Sequence, residues 1–430
     1  MKIYLRFAKA EENKLVYLDY AATTPVKKEV FSAMEPYFKA NFGNPSSIHS
    51  WGQSARKGVE ESRNIIANFL NCKQDEVIFT GCGSESDNLA IKGLIEANVS
   101  KKPHIITSQI EHHAVLKTCE DLEKRGAVEV TYLKPNREGI IGTEKIQKAI
   151  KSNTVLVSIM YVNNETGVIQ PIREIGKMIE RMNEFRIQNS ELKNSRIFFH
   201  TDAVQATEYL PMNVDYLHVD MLTIAGHKIG TPKGIGVLYV KKSIPILPIL
   251  HGGEQELGLR AGTENVPYII GLAKAIEIIQ KSKIKNQNDN EKLIKLRNYF
   301  IKKITEEIPD IYLNGSKENL VPHIINLYFK NIEGEAIVLA LDLEGVACST
   351  GSACTSQSLE PSHVIMAIYN DHFRAAGSVR FSLSHFTTKK EIDWAIKKII
   401  LVVERLRKIS PYTSTNLLPR INANKRKEQK

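Results

Sequence analysis

The sequence predicts an α/β fold, in which a large, mostly parallel sheet carries helices on both faces and a smaller α+β domain follows. Short β-branched runs alternate with amphipathic stretches from about residue 16 to residue 240, and this alternation is typical of parallel sheets. A polar stretch at residues 285–290 then marks a domain boundary. The length of 430 residues also suits more than one core.

The first part of the chain predicts a regular succession of strands and helices. The predicted strands are Val16–Leu18, Glu76–Thr80, His104–Ser108, Val128–Tyr132, Val155–Met160, Arg196–His200, Met221–Ile224 and Gly236–Val240. The predicted helices are Gly52–Leu70, Ser84–Ala97, Val115–Arg125, Thr143–Ile150 and Ile172–Phe185. Active sites of open α/β sheets gather at the carboxyl ends of the strands. Polar residues follow several of these strands, which favours an enzyme, although any α/β fold places some polar residues there.

The second part of the chain predicts a long helix from Val266 to about Lys283 and then the smaller domain. The elements predicted in the smaller domain are Val321–Tyr328, Glu335–Leu343, Ser378–Ser382 and Thr388–Leu406. The polar segment at 186–195 predicts a surface extension of one helix and its loop. The predicted units are residues 16–283 for the large domain, 284–411 for the small domain with residues 1–15 packed against it, and 412–430 for a basic tail.

Composition and cysteine usage exclude several classes of protein. No run approaches the ~18 uninterrupted apolar residues of a membrane helix. The N-terminus has no apolar segment typical of a secretory signal, which predicts a cytoplasmic protein. The five cysteines are an odd, sparse set without CxxC spacing, so neither a disulfide framework nor a zinc site is predicted. Free thiols are expected instead.

The net charge of +10 raises the alternative of a nucleic-acid ligand. Much of this charge lies in the ends and in solvated helices, and the last six residues carry four basic groups and one acid. Such a run is typical of a solvated tail and less often of a docking arm. Because no zinc-finger spacing and no RNP-type aromatic motif is present, nucleic acid is not predicted as the main ligand.

Lys228 lies in a glycine-rich connection between two apolar strands and follows His227. A lysine in such a place can form a Schiff base if desolvation or a neighbouring cation lowers its pKa. A solvated hairpin lysine is the alternative.

Upstream, a strand ends at Thr80 and a helix begins near Ser84, so Gly83 and the helix N-terminus predict an anion site. The alternative there is a simple helix capped by Ser84.

Asp202 directly follows a predicted buried strand, where a carboxylate is costly unless it is paired. A protonated ring nitrogen of a cofactor would be a suitable partner, and a helix cap is the alternative. Asn164 also follows a strand and could donate to a ring oxygen, unless it is only a turn residue.

Cys354 lies in a Ser/Gly/Thr-rich stretch without hydrophobic periodicity, which predicts an accessible loop thiol. Cys72, Cys82 and Cys119 are predicted to be structural.

Taken together, these segments resemble the cysteine desulfurase family (NifS/IscS type) among the class V aminotransferases, which are fold-type I enzymes that use pyridoxal 5′-phosphate (PLP). The resemblance extends from Val16 to about Pro411, and its motifs occur in the family's order. They are LDYAATTP (18–25), GNPSSIH (43–49), SESDNLAIKG (84–93), EHHAVL (111–116), VNNETG (162–167), HTDAVQ (200–205), GHKIGTPKGIG (226–236), RAGTENV (260–266), GSACTS (351–356), LEPSHV (359–364) and VRFSLSHFTT (379–388).

The resemblance implies a role for each matching residue. Lys228 would be the Schiff-base lysine, Asp202 would face the pyridine nitrogen, and His112 would stack on the ring and assist proton transfers. The remaining implied contacts are Asn164 and Gln205 with the ring substituent, Gly83, Ser84 and His227 with the phosphate, Thr263 from a second subunit, and Arg380 and Asn44 with the substrate carboxylate. Cys354 would accept sulfur from L-cysteine as a persulfide, leaving alanine.

Two positions depart from the family pattern. Ala225 stands where many relatives carry a serine that binds the phosphate, so this contact is either missing or supplied by Thr223. Cys82 stands where other small residues are common.

The resemblance further implies a homodimer and protein acceptors for the sulfur, in iron–sulfur assembly or tRNA thiolation. Selenocysteine lyase remains an alternative, because segments 186–195 and 252–266 are also similar to those enzymes, and a non-catalytic binding module is a second.

Overall fold

The computed structural model describes residues 15–98, 102–188, 196–285, 288–350 and 361–411. In these residues seven strands form one mixed sheet in the order β2–β8–β7–β6–β5–β3–β4. The pairs from β7 to β4 are parallel, and β8 is antiparallel to both of its neighbours. The strands are β2 (Val77–Thr80), β3 (His104–Ser108), β4 (Glu129–Leu133), β5 (Thr154–Ser158), β6 (Phe198–Asp202), β7 (Met221–Ala225) and β8 (Gly236–Val240).

Side chains along each strand alternate between two separate cores, one on each face of the sheet. On β2, for example, Val77 and Phe79 enter one core while Ile78 enters the other. Successive strand residues point to opposite faces, so a sheet covered on both faces favours apolar residues at most of its positions. This preference explains the apolar runs in the sequence. The predicted α/β fold is confirmed.

Helices cover both faces of the sheet. They are α1 (Lys28–Lys39), α2 (Ser50–Leu70), α3 (Gly83–Ala97), α4 (His113–Lys124), α5 (Thr143–Ala149), α6 (Ile172–Gln188), α7 (Val214–Leu217) and α8 (Val266–Lys285). Helix α1 has no predicted counterpart. Arg186, which was predicted to lie in a surface extension, is instead buried at the end of α6 and donates to the Thr154 carbonyl oxygen at 3.0 Å. That part of the prediction is wrong, because a long guanidinium can bury its stem when carbonyl oxygens satisfy its head. Residues 189–195 lie outside the described residues.

A second layer forms a core of its own. It contains β9 (Ile311–Leu313), β10 (Ile324–Phe329) and β12 (Ser378–Ser382) in one sheet, with α9 (Asn288–Glu307), α10 (Gly334–Leu343), α11 (His363–Tyr369), α12 (His372–Ala376) and α13 (Lys389–Ile409). Strand β1 (Val16–Tyr17) pairs in parallel with β11 (Val346–Ala347). Val16 and Leu18 therefore pack in the core of the second layer, although the predicted division placed them with the large domain.

The helices of the described ranges include none that is both long enough and apolar enough to span a bilayer.

A buried ion pair fastens the loop before α8 to the main body. Arg63 on α2 binds Glu256 through two bonds of 2.8 and 2.9 Å, and the same carboxylate accepts the backbone N–H of Phe79 at 2.8 Å. Glu256, Leu257 and Gly258 all have positive φ, at 48°, 60° and 77°. Two of these three residues have a Cβ, and a positive φ is strained for such residues. The ion pair therefore stabilises a loop conformation that the backbone of these residues disfavours.

We expect Glu256→Ala to destabilise the protein by about 3–5 kcal/mol, because it leaves the Arg63 charge buried without a partner. Urea unfolding of the full-length protein measures this loss. The control is Glu61→Ala on α2, the helix that carries Arg63. Glu61 forms an exposed pair with Lys57 at 3.8 Å, which should contribute at most ~0.5 kcal/mol to stability. Equal effects of the two variants would contradict the proposed role of the pair.

Candidate active site

A cavity of about 320 Å³ opens at the carboxyl edge of the large sheet and brings most of the predicted site residues together. The predicted residues that line it are Gly83, Ser84, His112, Asn164, Asp202, Gln205, His227, Lys228 and Arg380. They come from six separated segments of the sequence, so the fold alone collects them. A somewhat smaller cavity of about 230 Å³ lies beside the N-terminus of α1 and contains none of these residues.

Lys228 ends a short helical turn that follows β7, and its side chain enters the cavity. The Nζ atom donates to the carbonyl oxygens of Ala21 and Ala22 at 2.6 and 2.7 Å. These carbonyls belong to the loop after β1, so the lysine links the two layers of the molecule. The alternative of a solvated hairpin lysine does not describe this position.

Asp202 is the last residue of β6 and is buried at the back of the cavity. Its Oδ1 accepts the backbone N–H of Val204 at 2.9 Å. Burial raises the pKa of Asp202 to about 6, while this N–H and the charge of Lys228 act in the opposite direction. The carboxylate is therefore a suitable partner for a buried cationic ring nitrogen.

The N-terminus of α3 forms one wall of the cavity. The helix begins at Gly83 with Cys82 as its cap residue, and no side chain binds the first N–H groups as a cap. The alternative of Ser84 as helix cap is therefore wrong, because Ser84 already lies in the first turn. A Cβ on Gly83 would lie 3.1 Å from Val204 Cγ2 and 3.3 Å from Ala225 Cβ. Glycine thus leaves the free N–H groups open to an anion.

Cys82 requires a correction. It was predicted to be structural, but its side chain is exposed and lines the cavity beside Gly83. Its position at the cap of α3, where the chain turns away from the sheet, accounts for this exposure. Cys119 is buried as predicted, and burial raises the pKa of Cys72 to about 12.

His112 caps α4, and its Nδ1 accepts the backbone N–H of Ala114 at 3.2 Å. Burial, and then the charge of Lys228, lower the pKa of His112 to about 4. The imidazole is therefore neutral near pH 7, and because Nδ1 is an acceptor, Nε2 of His112 carries the proton.

Two side-chain amides also line the cavity. Gln205 Nε2 donates to the Ala21 carbonyl oxygen at 2.9 Å. Asn164 Oδ1 is buried and has no hydrogen-bond partner among the described residues.

Arg380 on β12 brings the second layer into the cavity. It donates to Asp19 Oδ1 at 2.9 Å and to the Asn164 carbonyl oxygen at 2.8 Å. Its Nε is buried and unbonded within the part of the chain that the structure describes. Sequence reasoning missed Asp19, although this residue lies inside the quoted LDYAATTP motif. The acid fixes the guanidinium at the cavity wall.

Three residues named in the sequence analysis lie elsewhere. Asn44 is exposed, and its Oδ1 accepts the backbone N–H of Ser46 at 2.9 Å. Thr263 is also exposed and does not line the cavity of its own chain. The Thr223 hydroxyl is fully buried and lies 3.1 Å from His200 Nε2. A phosphate contact from Thr223 is therefore not supported, and that contact is missing beside Ala225.

Cys354 lies outside the described residues, but both ends of its segment are fastened beside the cavity. On one side Ser349 pairs with Arg380 through backbone bonds of 3.1 and 2.6 Å. On the other side Ser362 Oγ donates to Glu165 Oε2 at 2.5 Å, and His363 Nε2 contacts the Glu111 carbonyl oxygen at 3.0 Å. The described residues on both sides of segment 351–360 therefore lie beside the site.

Known proteins resemble the chain over most of its length. A family model for aminotransferase class V matches residues 16–394. A cysteine desulfurase IscS from Dictyoglomus turgidum is 49% identical over 397 residues, covering 92% of this chain and 96% of the relative. The corresponding protein of Methanosarcina thermophila is 45% identical over 402 residues, covering 94% and 95%.

Solved structures agree with the sequence relatives. A NifS-like protein superposes with a TM-score of 0.82 at 33% identity, covering 91% of this chain and 100% of the other. A structure described as SspA in complex with cysteine gives a TM-score of 0.74 at 37% identity, covering 87% and 100%. The family model covers most of the chain, and the relatives exceed 40% identity at nearly full length. The protein accordingly belongs to the cysteine desulfurases of the aminotransferase class-V family.

Proposed function

We propose that the protein removes sulfur from L-cysteine with the help of PLP, releasing alanine and holding the sulfur as a persulfide on Cys354. The observation that carries this proposal is the meeting of the Lys228 amine, the buried Asp202 carboxylate and the open N-terminus of α3 in one cavity. Relatives at 45–49% identity that are described as cysteine desulfurases support it.

The residues present fit PLP at each functional group of the cofactor. The Lys228 amine can bind its aldehyde, and Asp202 can pair with its ring nitrogen. The free N–H groups at Gly83 and Ser84, with His227, suit its phosphate. The unpaired Asn164 Oδ1, whose amide can be turned to present its N–H₂, suits a ring substituent.

The chemistry of the chain's own residues follows from these positions. When bound, PLP supplies an electron sink that stabilises negative charge at the substrate Cα. Lys228, once the substrate amine has replaced it, is the base for the Cα proton. Neutral His112, with its proton on Nε2, can donate to an oxygen within the cavity or cover a ring face. Asp202 holds a positive ring nitrogen by charge.

Arg380 is proposed to bind the substrate carboxylate through the donors that Asp19 and Asn164 leave free. Cys354 Sγ then forms a bond to the substrate sulfur while the carbon–sulfur bond breaks. The electron pair of the broken bond passes to the carbon skeleton, which takes up a proton and leaves as alanine. Asn44 is kept as a second candidate for the carboxylate, although it is exposed in this chain.

We further propose a cytoplasmic homodimer that passes its sulfur to acceptor proteins. Large apolar side chains at Phe38, Phe42, Ile48 and Trp51 are exposed, which is typical of a surface that a partner covers. Thr263 is exposed on the loop that Glu256 fastens, so a second copy could receive it in its cavity. Acceptors in iron–sulfur assembly or tRNA thiolation remain the candidates.

A direct assay tests the proposed function. The purified full-length protein, supplied with PLP and cysteine, should release alanine and acquire a persulfide that alkylation and mass spectrometry detect. The same assay with selenocysteine separates the two enzyme alternatives, because a much higher rate on selenocysteine would favour the lyase. Protein that leaves both substrates intact would overturn the proposal.

Asp202→Asn tests the proposed ring-nitrogen contact. The change keeps the size of the side chain but removes its charge, so a buried positive ring nitrogen loses its partner. We expect weaker retention of the cofactor and turnover lower by about 10²-fold or more. Dialysis followed by absorbance measures retention. Asp220→Asn is the matched control, because that buried acid pairs with Arg196 at 2.7 Å at the opposite edge of the sheet. Equal losses in both variants would contradict the contact.

A further inference from the structure

A second buried acid, Asp87 on α3, lines the cavity beside Asp202. It is 1% exposed, and its Oδ1 has no hydrogen-bond partner among the residues that the structure describes. One ligand atom each from Asp87, Asp202 and His112 lies within 4.8 Å of the others. The site thus contains two carboxyl groups close enough to affect one another strongly, and the mechanism above uses only one of them.

Most of the titratable groups that surround Asp87 are acidic or neutral. Its nearest basic atom is His200 Nε2 at 3.6 Å, but burial lowers the pKa of this fully buried histidine to about 3, so the ring is neutral. His112 is neutral for the same reason. The titratable groups that face Asp87 are Asp202 and His200 on β6, Glu111 and His112 before α4, and Cys82 at the cap of α3. Each of these groups is an acid or a neutral base. Lys228 also lines the cavity, and its positive charge lowers the pKa of Asp202.

Asp202 is the better anion of the pair. It accepts the Val204 N–H, and the charge of Lys228 lowers its pKa against the effect of burial. Burial raises the pKa of Asp87 well above its ordinary value, and the nearby Asp202 raises it further. Two carboxyl groups that share a dry site cannot both ionise easily, so a single proton goes to the less stabilised member.

We propose that Asp87 is a positioning residue that remains protonated in the cavity wall, so that Asp202 is the single anion facing the ring nitrogen of the cofactor. This inference rests on the proposed function. In this arrangement the one buried negative charge is matched by the one positive charge that the ring nitrogen carries. A second carboxylate would leave the dry site with an excess negative charge.

A chain of polar contacts behind Asp87 changes its donors with the protonation state of this acid. The Thr223 hydroxyl hydrogen-bonds Asp87, which lowers the pKa of Asp87 against the larger effects of burial and Asp202. The same hydroxyl lies 3.1 Å from His200 Nε2, and His200 Nδ1 lies 2.9 Å from Ser158 Oγ. A protonated Asp87 donates to Thr223, Thr223 donates to Nε2, and Nδ1–H donates to Ser158. An ionised Asp87 would reverse every donor. The tautomer of His200 therefore reports the protonation of Asp87.

Infrared difference spectra of the full-length, PLP-loaded protein test the proposal directly. Wild type minus Asp87→Asn should show the carbonyl stretch of a protonated carboxyl group near pH 7, with the isotope shift expected in heavy water. Asp87→Asn, as the neutral isostere, should also retain the cofactor far better than Asp202→Asn. A carboxylate band in the difference spectrum, or a loss of cofactor as large as that of Asp202→Asn, would overturn the proposal.

The pH dependence of unfolding gives a second readout that does not depend on turnover. An acid with a raised folded pKa contributes stability fully below its unfolded pKa, near 3.9, and this contribution is lost as pH rises towards the folded value. In full-length protein freed of cofactor, the unfolding constant of wild type should therefore rise relative to Asp87→Asn, by up to about tenfold per pH unit above pH ~4.

Asp220→Asn is the comparison variant for that measurement. Burial raises the pKa of Asp220 as well, but Arg196 opposes this rise, so the pH effect at Asp220 should be smaller than at Asp87. A purely structural role of Asp87 would offset its two curves by a constant amount, and parallel curves would overturn the proposal. Wild type that binds no PLP would instead refute the proposed function, while the unfolding comparison would still report on Asp87. The two failures are thus distinguishable.

Discussion

Replacing Lys228 by alanine is expected to abolish covalent attachment of the cofactor and to lower cysteine turnover by about 10³-fold or more. The amine has two proposed roles, as the group that binds the aldehyde and as the base for the Cα proton. Its Nζ is held inside the cavity by the carbonyl oxygens of Ala21 and Ala22. In the described part of the chain the cavity lining includes no second lysine that could replace it.

Absorbance of the protein-bound cofactor and alanine release measure the two roles separately. The control is Lys242→Ala, since Lys242 lies on the surface and pairs only with the carboxylate of Asp75 among the described ion pairs. That variant should keep both the cofactor and its turnover. A Lys228→Ala protein that remains coloured after dialysis and still releases alanine at the wild-type rate would refute the assignment.

The sequence predicted the large sheet well because its strands are buried on both faces. Seven of the eight predicted strands overlap strands of this sheet, and Gly236–Val240 matches residue for residue, whereas Val16–Leu18 overlaps β1, which pairs with β11 instead. The candidate site residues at strand ends could also be predicted, because the carboxyl ends of neighbouring strands must meet. Asp202 and Lys228 follow this rule, as they stand at or just after the ends of β6 and β7. Gln205, Thr263, Arg380 and Asn44 were named only from the family resemblance.

The parts that escaped prediction depend on contacts between distant segments. Asp87 lies within α3 and looks like an ordinary polar helix residue, so only its approach to Asp202, 115 positions later, reveals a role. Asp19 has a role in the site only because its carboxylate binds Arg380, which is distant in the sequence. Cys82 was assigned to the interior from its neighbours, whereas its exposure follows from the cavity that those neighbours build.

Cys354→Ser should abolish the persulfide and reduce alanine release by at least ~10²-fold, because an oxygen cannot accept sulfur in this way and loss of a nucleophile is usually severe. Retention of the cofactor should be unchanged, which separates this variant from Lys228→Ala. Ser349, five residues before Cys354, is bonded to the backbone of Arg380 beside the cavity.

Cys82 is the rival acceptor, because it also lines the cavity. It lies at the N-terminus of α3, however, where Gly83 and Ser84 are proposed to hold the phosphate of the cofactor and not the substrate. Cys82→Ser should therefore still form a persulfide on residue 354, as should the distant control Cys72→Ser. Mapping the alkylated persulfide by peptide mass spectrometry decides between the thiols. If sulfur were found on Cys82 in the wild type and Cys354→Ser kept its turnover, Cys82 would be the sulfur acceptor.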